Sequence, residues 1–258
     1  PHGHLTAPGE HAGVGAAAAE LARVRDLILR LGEGAPEVDF LLWRWDLQNL
    51  KVLLRGEVDR VGLNRLGRYR PEEISAWFTK NDPALPAFFA EARRSGQEVL
   101  ARTGDPQMMD AALDRLYYDY GSKFWPGRSE LLAAYWTARI DLINLKTFVR
   151  AKRLRFTRER LSYLLLPGGA VGREVFHARF ESPWEEIEAW WREGDYAAIL
   201  GCGGLTDLPA LERACDEFLL ERIRPAKMVP LGLEPLLGYY LAKEHETRLV
   251  NLIIAAKS

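Results

Sequence analysis

The sequence is poor in cysteine and carries no excess of charge of either sign. Only two of its 258 residues are cysteines, Cys202 and Cys215, so a disulfide framework is excluded and a reducing environment is expected. The formal net charge is -1, which gives no overall basic field for nucleic acid or an anionic membrane surface. We therefore expect no nucleic-acid partner, and any other partner must be recognised by local surface.

Long uncharged hydrophobic runs are also absent. The longest apolar segment, residues 131–149, contains Arg139, Asp141 and Lys146, and each charge costs about 2.5 to 3.5 kcal/mol at the centre of a bilayer. We expect a soluble chain with no transmembrane segment of its own. Residues 1–19 are rich in glycine, alanine and histidine, lack an initiator methionine and do not resemble a signal peptide. They are expected to be the flexible end of a fragment or processed chain.

Motifs for nucleotide, acyl-transfer and metal chemistry are missing. The sequence has no GxxxxGK[ST] or GxGxxG segment for phosphate binding and no GxSxG nucleophile elbow. Helical di-metal sites use two Glu-x-x-His pairs, whereas this chain has one, from Glu174 to His177. Neither cysteine has a second Cys or His at zinc-ligand spacing. We predict no catalytic, cofactor-binding or metal site, so the chain is not expected to be an enzyme by itself.

One twelve-residue segment occurs twice. Residues 44–55 read RWDLQNLKVLLR and residues 139–150, which lie 95 positions later, read RIDLINLKTFVR, with seven identical positions. A third, degraded copy is predicted in KEHETRLVNLIIAAK, residues 243–257, where Glu246 takes the acidic place and Leu249 replaces the asparagine. A repeat of about 100 residues is the size of a domain and is too long for a solenoid unit. The sequence therefore predicts three copies of one unit.

The apolar spacing is helical nearly everywhere. In residues 20–31, for example, Leu21, Val24 and Ile28 recur at intervals of three and four, and no segment alternates as a half-buried strand would. We predict an all-α chain in which the repeated segments lie on long helices. At Ser182, a Ser cap followed by Pro183 and Glu185 predicts another helix start. The predicted organisation is a flexible end (1–19), repeat 1 (20–105), repeat 2 (106–204) and a truncated repeat 3 (205–258).

The repeated polar residues favour a structural role over a catalytic one. On a helix, Asp46 and Asn49 share a face beside an apolar stripe, and an unpaired polar group there costs about 1 to 3 kcal/mol. Their expected partners are exposed backbone groups of a neighbouring helix end, or the preceding Arg44 and Arg139, so that the motif fixes how two helices cross. The predicted motif residues are Arg44, Asp46, Asn49, Lys51, Arg55, Arg139, Asp141, Asn144, Lys146, Arg150 and Glu246.

These segments resemble the C subunit of the bacterial and archaeal V/A-type rotary ATPases, whose eukaryotic counterpart is the d subunit of the V-type enzyme. The resemblance is carried by DLQNLKVLLR, IDLINLKTFVR and the closing PLGLEPLLGYYLAKEHETRLVNLIIAAK. It also includes the segment REVFHARFESPWEEIEAWWREGDYAAIL, which is similar to the family's linker between its second and third units. The similarity spans about residues 20–257. The departures are Leu249 and the absence of the family's additional first helical element and final Gly-Leu-Pro tail.

The resemblance implies a mechanical function. Members of the family are non-catalytic, funnel-shaped subunits whose three helical domains surround a pseudo-threefold axis. They sit on the cytoplasmic face of the membrane proteolipid ring, peripheral to the membrane, and receive the tip of the central shaft in a socket. Torque between ATP hydrolysis or synthesis and ion (proton) transport passes through them. The expected partners are therefore the central-shaft subunits and the proteolipid (rotor) ring.

Three alternatives remain open at this stage. In the first, the chain is a free-standing helical-repeat scaffold or regulatory protein that has lost the ATPase association. A helical metalloenzyme is the second alternative, and metal analysis would test it. In the third, the three helix sets stack linearly instead of closing around an axis.

Overall fold

The structure is a computed structural model that describes residues 8–80, 86–201 and 204–257. The described residues form helices and connecting segments without strands, which confirms the all-α prediction. The α-helices are α1 (Pro8–Leu31), α2 (Pro36–Arg55), α3 (Val58–Val61), α4 (Pro71–Lys80), α5 (Ala87–Thr103), α6 (Pro106–Phe124), α7 (Glu130–Arg153), α8 (Arg158–Leu164), α9 (Arg173–Ala178), α10 (Trp184–Arg192), α11 (Leu208–Ile223) and α12 (Glu234–Lys257).

The ends of the motif-bearing helices follow from local chemistry. Pro36 occupies the first turn of α2, where its missing N–H costs nothing, and Gly56 ends the helix in a left-handed conformation. The side chain of Ser129 caps α7 by accepting a hydrogen bond from the Leu132 N–H. The cap position of α10 is Pro183, without a side-chain cap, so the prediction that placed the cap at Ser182 is wrong by one residue.

Helix α1 begins well before residue 20, where the composition predicted the first unit to start. It extends back to Pro8, and residues 1–7 of the predicted flexible end lie outside the described residues. The same is true of Cys202, whereas Cys215 is a buried free thiol.

Buried apolar side chains form two clusters. The first unites α1, α2, α5, α6, the first half of α7 and the first turns of α12 around large residues such as Phe40, Trp125, Trp136 and Tyr240. The second joins the rest of α7 to the segments from α8 to α11 around Phe148 and Phe176. Because α7 contributes to both clusters, it connects the two halves of the hydrophobic core.

The motif-bearing helices each pack against the helix that opens another predicted unit. Helix α2 packs against α6, α7 packs against α11, and α12 packs against α1. These contacts form a closed cycle, because the last helix of the chain returns to the first. The contact between α1 and α12 excludes a linear stack in which the first and third units lie at opposite ends.

Candidate functional site

The first copy of the motif holds a loop against helix α2. Asp46 accepts hydrogen bonds from the backbone N–H groups of Arg68 (2.8 Å) and Tyr69 (3.2 Å). Asn49 accepts from the N–H of Asn64 at 2.6 Å and donates to its carbonyl at 2.9 Å. The two side chains are almost fully buried, and these bonds offset the cost of burying them.

The second copy holds a loop against α7 in the same way. Asp141 accepts from the N–H groups of Ala170 and Val171, each at 3.0 Å, and Asn144 makes the paired bonds with the backbone of Leu166, at 2.7 and 2.9 Å. The Tyr196 hydroxyl donates a further bond of 2.6 Å to Asp141. Backbone partners, the first of the two expected kinds, are present in both copies, although they belong to a loop and not to a helix end. The alternative partners, Arg44 and Arg139, instead lie close to Glu244.

A glycine lets each loop approach its aspartate. A Cβ atom on Gly67 would lie 1.9 Å from Asp46 Oδ1, and one on Gly169 would lie 2.0 Å from Asp141 Oδ1. These glycines are 102 residues apart, not 95, because the segments between helix and loop differ in length by seven residues. The loops share little sequence, and this glycine spacing is the one signal that would have identified them.

Burial governs the ionisation of both aspartates. It raises the pKa of Asp46 to about 7, against the opposing effect of the hydrogen bonds from Arg68 and Tyr69. Burial also raises the pKa of Asp141, although the hydrogen bonds from Tyr196, Val171 and Ala170 lower it. The loop hydrogen bonds therefore only partly compensate for removing these carboxylates from water.

In the first two copies, the basic end of the motif pairs with the helix packed against it. Lys51, which is 3% exposed, contacts Asp114 of α6 at 2.6 Å, and Arg55 contacts Asp110 one turn away at 2.7 Å. In the second copy, Arg150 pairs with Glu212 of α11. Asp110 and Glu212 are themselves 102 residues apart, so one pattern of ion pairs joins α2 to α6 and α7 to α11.

The first residue of each motif lies in a shared charge cluster. Arg44 forms an ion pair with Glu244 of α12, and Arg139 lies 3.9 Å from the same carboxylate oxygen. The cluster joins three helices that are far apart in the chain. Glu244 lies two residues before Glu246, as Arg44 lies before Asp46 and Arg139 before Asp141. In the predicted alignment of the third copy, the charge cluster therefore contains the same motif position from each copy.

Glu246 holds no loop in the described structure. Its side chain is 61% exposed and pairs with Lys243 at 2.9 Å. The acid of the predicted third copy that contacts the other two copies is Glu244, which the sequence reasoning did not single out. Its opposite charge to Arg44 and Arg139 was the available signal.

The charge cluster lines a cavity of about 400 Å³ between α1, α2, α7, α11 and α12. Its charged or titratable lining residues are Arg44, Tyr135, Arg139, Lys146, Asp216, Glu244, His245 and Arg248. Its apolar wall is formed by Leu21, Trp45, Ile143, Leu219, Leu220, Ile223 and Leu241. The motif-bearing helices thus all contribute to one cavity that is apolar on one part of its surface and strongly charged on another.

Asp216 connects α11 to α12 inside the cavity. It is 6% exposed and lies 3.0 Å from Arg248, whose guanidinium also lies 3.0 Å from His245 Nδ1. Burial lowers the pKa of His245 below its usual range, and the nearby Arg248 charge lowers it further. His245 is therefore predominantly neutral at physiological pH.

Other candidate chemistry does not assemble in the described part of the chain. His177 of the single Glu-x-x-His segment contacts the Ser162 hydroxyl at 2.8 Å. Among the described residues, no three His, Cys, Asp or Glu side chains form a group that would hold a metal ion. None of the described helices is long and apolar enough to span a bilayer.

Known proteins resemble this chain over most of its length. The sequence profile of the ATP synthase (C/AC39) subunit family matches residues 10–258. The V-type ATP synthase C subunit of Thermus thermophilus is 29% identical over 244 residues, covering 88% of this chain and 71% of that protein. The A-type ATP synthase C subunit of Thermococcus kodakarensis is 26% identical, covering 92% and 68%, and the V-type sodium ATPase C subunit of Enterococcus hirae is 25% identical, covering 93% and 77%.

The match includes the loops that the motif side chains hold, residues 64–69 and 166–171, and the helices around the charge cluster. Since the profile covers nearly all of the sequence, the chain belongs to the ATP synthase (C/AC39) subunit family, which includes the C subunits of V/A-type ATPases.

Proposed function

We propose that this chain is the non-catalytic adapter in the central stalk of a V/A-type rotary ATPase. In this role it sits on the cytoplasmic face of the membrane proteolipid ring, receives the tip of the rotating shaft and transmits torque between them. The proposal rests on family membership and on one structural observation, the meeting of Arg44, Arg139 and Glu244 beside a cavity.

That observation supports an arrangement around an axis. The three residues occupy one motif position on α2, α7 and α12, and each of these helices packs against the opening helix of another unit. Equivalent positions meet when three similar units surround a common axis. We infer that the pseudo-threefold axis passes near the charge cluster and that the cavity is part of the shaft socket.

The contacts also suit a part that bears torque. Buried, hydrogen-bonded polar groups tie a connection to one position, and here they fix the loops at residues 64–69 and 166–171 to their long helices. Ion pairs then join neighbouring units at several points. A closed cycle of helices resists opening better than a linear array, since no unit has a free end.

A binding titration tests the proposal. The chain is titrated with the purified two-chain central shaft of a V/A-type ATPase from the same source, at low and high salt. We expect saturable one-to-one binding that weakens with salt. If circular dichroism shows that the chain is folded but it binds the shaft at neither salt concentration, the proposal is overturned and the free-standing scaffold is favoured.

Attachment to the ring is tested separately. The chain is incubated with purified proteolipid ring in detergent, with and without shaft, and analysed by size-exclusion chromatography. We expect co-elution with the ring. Elution of all the chain as free protein in both samples would contradict the adapter role even if the shaft binds.

A further inference from the structure

The cavity contains more cations than carboxylates. Its carboxylates are Asp216 and Glu244, whereas its permanently basic side chains are Arg44, Arg139, Lys146 and Arg248. The lining therefore carries two more positive than negative charges when His245 is neutral. Uncompensated charge in a partly enclosed, partly apolar space is costly, so such a surplus marks a site for an anionic group.

Lys146 is the clearest source of this surplus. Its counterpart in the first copy, Lys51, pairs with Asp114 at 2.6 Å. The residue 102 positions after Asp114 is Asp216, but Asp216 pairs with Arg248 of α12. Within the described ranges, no carboxylate oxygen lies within 4.0 Å of Lys146 Nζ. The aspartate that corresponds to the partner of Lys51 pairs with Arg248 of α12 instead of with Lys146.

The charge cluster supplies the rest of the surplus. Arg44 and Arg139 share the single carboxylate of Glu244, and both contact the same oxygen atom. The other oxygen, Glu244 Oε1, is buried and has no hydrogen-bond partner among the described residues, and the same holds for Asn251 Oδ1 on the cavity wall. Asp216 Oδ1 also has no hydrogen bond, although it lies 3.0 Å from the Arg248 guanidinium. The cavity thus lacks hydrogen-bond donors for these three oxygens as well as anions for its cations.

We infer that this cavity binds an acidic side chain on the tip of the central shaft, with its carboxylate beside Lys146. The inference rests on the proposed function and specifies the chemistry of the shaft group in the socket. The carboxylate compensates the lysine, and the flanking residues of the tip cover the apolar wall.

The unpaired oxygens favour a polypeptide over a small free anion. Phosphate or a free carboxylate at neutral pH offers mainly acceptors, which would leave Glu244 Oε1 and Asn251 Oδ1 without donors. A polypeptide segment brings backbone N–H donors together with an acidic side chain. It also brings apolar atoms, which are favoured against Leu219, Ile223 and Leu241.

The test compares the shaft affinity of two lysine variants. Lys146→Met removes the proposed contact, and Lys123→Met is the control, because Lys123 lies on α6 outside the cavity with a side chain that is 73% exposed. We expect Lys146→Met to weaken shaft binding about tenfold at low salt and to reduce its dependence on salt. Lys123→Met should bind like the unmodified chain, and Lys146→Glu should bind more weakly than Lys146→Met.

Folding does not obscure this test. Lys146 loses no ion pair on substitution, so the thermal unfolding temperature of Lys146→Met should equal or exceed that of the unmodified chain. Equal shaft affinity and equal salt dependence for Lys146→Met and the unmodified chain would overturn the inference while leaving the proposed function intact. Failure of the unmodified chain to bind the shaft at all would instead remove the proposed function.

Inorganic phosphate provides a second measurement. At matched ionic strength, replacing chloride by phosphate should not displace the shaft further from the unmodified chain. Displacement by phosphate that disappears in Lys146→Met would overturn the assignment to a shaft side chain and identify a small-anion site.

Discussion

At the scale of single residues, the two buried aspartates determine how the long helices hold their loops. Asp46 and Asp141 each use both carboxylate oxygens to accept backbone N–H groups. The cost of burying a carboxylate is reduced by these bonds but not abolished, because burial still raises the pKa of both groups. The motif thus exchanges some stability for a defined loop position.

The raised pKa of Asp46 predicts a specific dependence of stability on pH. Its folded-state pKa of about 7 exceeds the ordinary value of 3.8, so the folded state binds this proton more tightly than the unfolded state. The stabilising contribution is complete below pH 3.8 and is lost as pH rises through about 7. Each pKa unit is worth about 1.4 kcal/mol, so the loss is on the order of 4 kcal/mol.

Asp46→Asn should remove this dependence. The difference in free energy of unfolding between the variant and the unmodified chain should move in favour of the variant between about pH 4 and about pH 8. Urea unfolding across this range measures it, with the exposed Asp119→Asn as control. A difference that stays constant with pH would contradict the raised pKa.

The close approach of Gly67 and Gly169 predicts that neither position accepts alanine. Each Cβ would displace an aspartate oxygen and break hydrogen bonds to a charged group, at a cost of about 2 kcal/mol or more. Gly201→Ala is the matched control, since a Cβ there meets nothing within 4 Å. Urea unfolding should give a clear loss for Gly67→Ala and Gly169→Ala and little change for Gly201→Ala. Equal stability of all three variants would show that the loops are not held in this way.

Among the secondary-structure elements, ion pairs join α2 to α6 and α7 to α11. Of the cations in these pairs, Lys51 is the most buried, with a side chain that is 4% exposed, while that of its partner Asp114 is 39% exposed. Truncating the aspartate leaves a buried ammonium group without its partner. Truncating both side chains removes the charge as well as the partner.

We therefore expect Asp114→Ala to cost about 1 to 3 kcal/mol, and the double variant Lys51→Met/Asp114→Ala to recover much of that loss. Asp119→Ala, which breaks the exposed pair with Lys123, should change stability by less than about 0.5 kcal/mol. Chemical unfolding of the unmodified chain, Lys51→Met, Asp114→Ala and the double variant gives the coupling energy of the buried pair. A double variant no more stable than Asp114→Ala would contradict this role of the pair.

At the scale of the whole molecule, the decisive contacts are those that return α12 to the start of the chain. Leu237, Tyr240 and Leu241 of α12 enter the same hydrophobic cluster as Leu21 and Ile28 of α1. Glu244, three residues beyond Leu241, then meets arginines from α2 and α7. Closure of the cycle therefore combines apolar burial with one shared charge cluster.

If the three motif positions are equivalent around an axis, the charge cluster should tolerate exchange of its acid and one of its bases. Arg139→Glu or Glu244→Arg alone leaves unbalanced buried charge and should cost about 3 to 5 kcal/mol. The double variant Arg139→Glu/Glu244→Arg restores the charge balance and should regain most of the stability in urea unfolding. If the double variant is no more stable than the less stable of the two single variants, the three positions are not equivalent.

Several features were predictable from the sequence because they depend on local rules. The helical periodicity and the twofold occurrence of DLxNLK needed no knowledge of contacts. The requirement that Asp46 and Asn49 be satisfied also followed from their position on an apolar helix face. The identity of their partners did not follow, because a backbone N–H is present at almost every residue and leaves no mark in the sequence.

Local residue patterns were enough to predict the helices, the repetition and the family. The contacts were needed to show that the loops at residues 64–69 and 166–171 complete the motif, that Glu244 and not Glu246 joins the other two copies, and that Lys146 lacks the partner of Lys51. This difference comes from distance along the chain. Helix formation and capping are governed by residues within a few positions, whereas Arg44 and Glu244 are 200 residues apart and meet only when the cycle of helices closes.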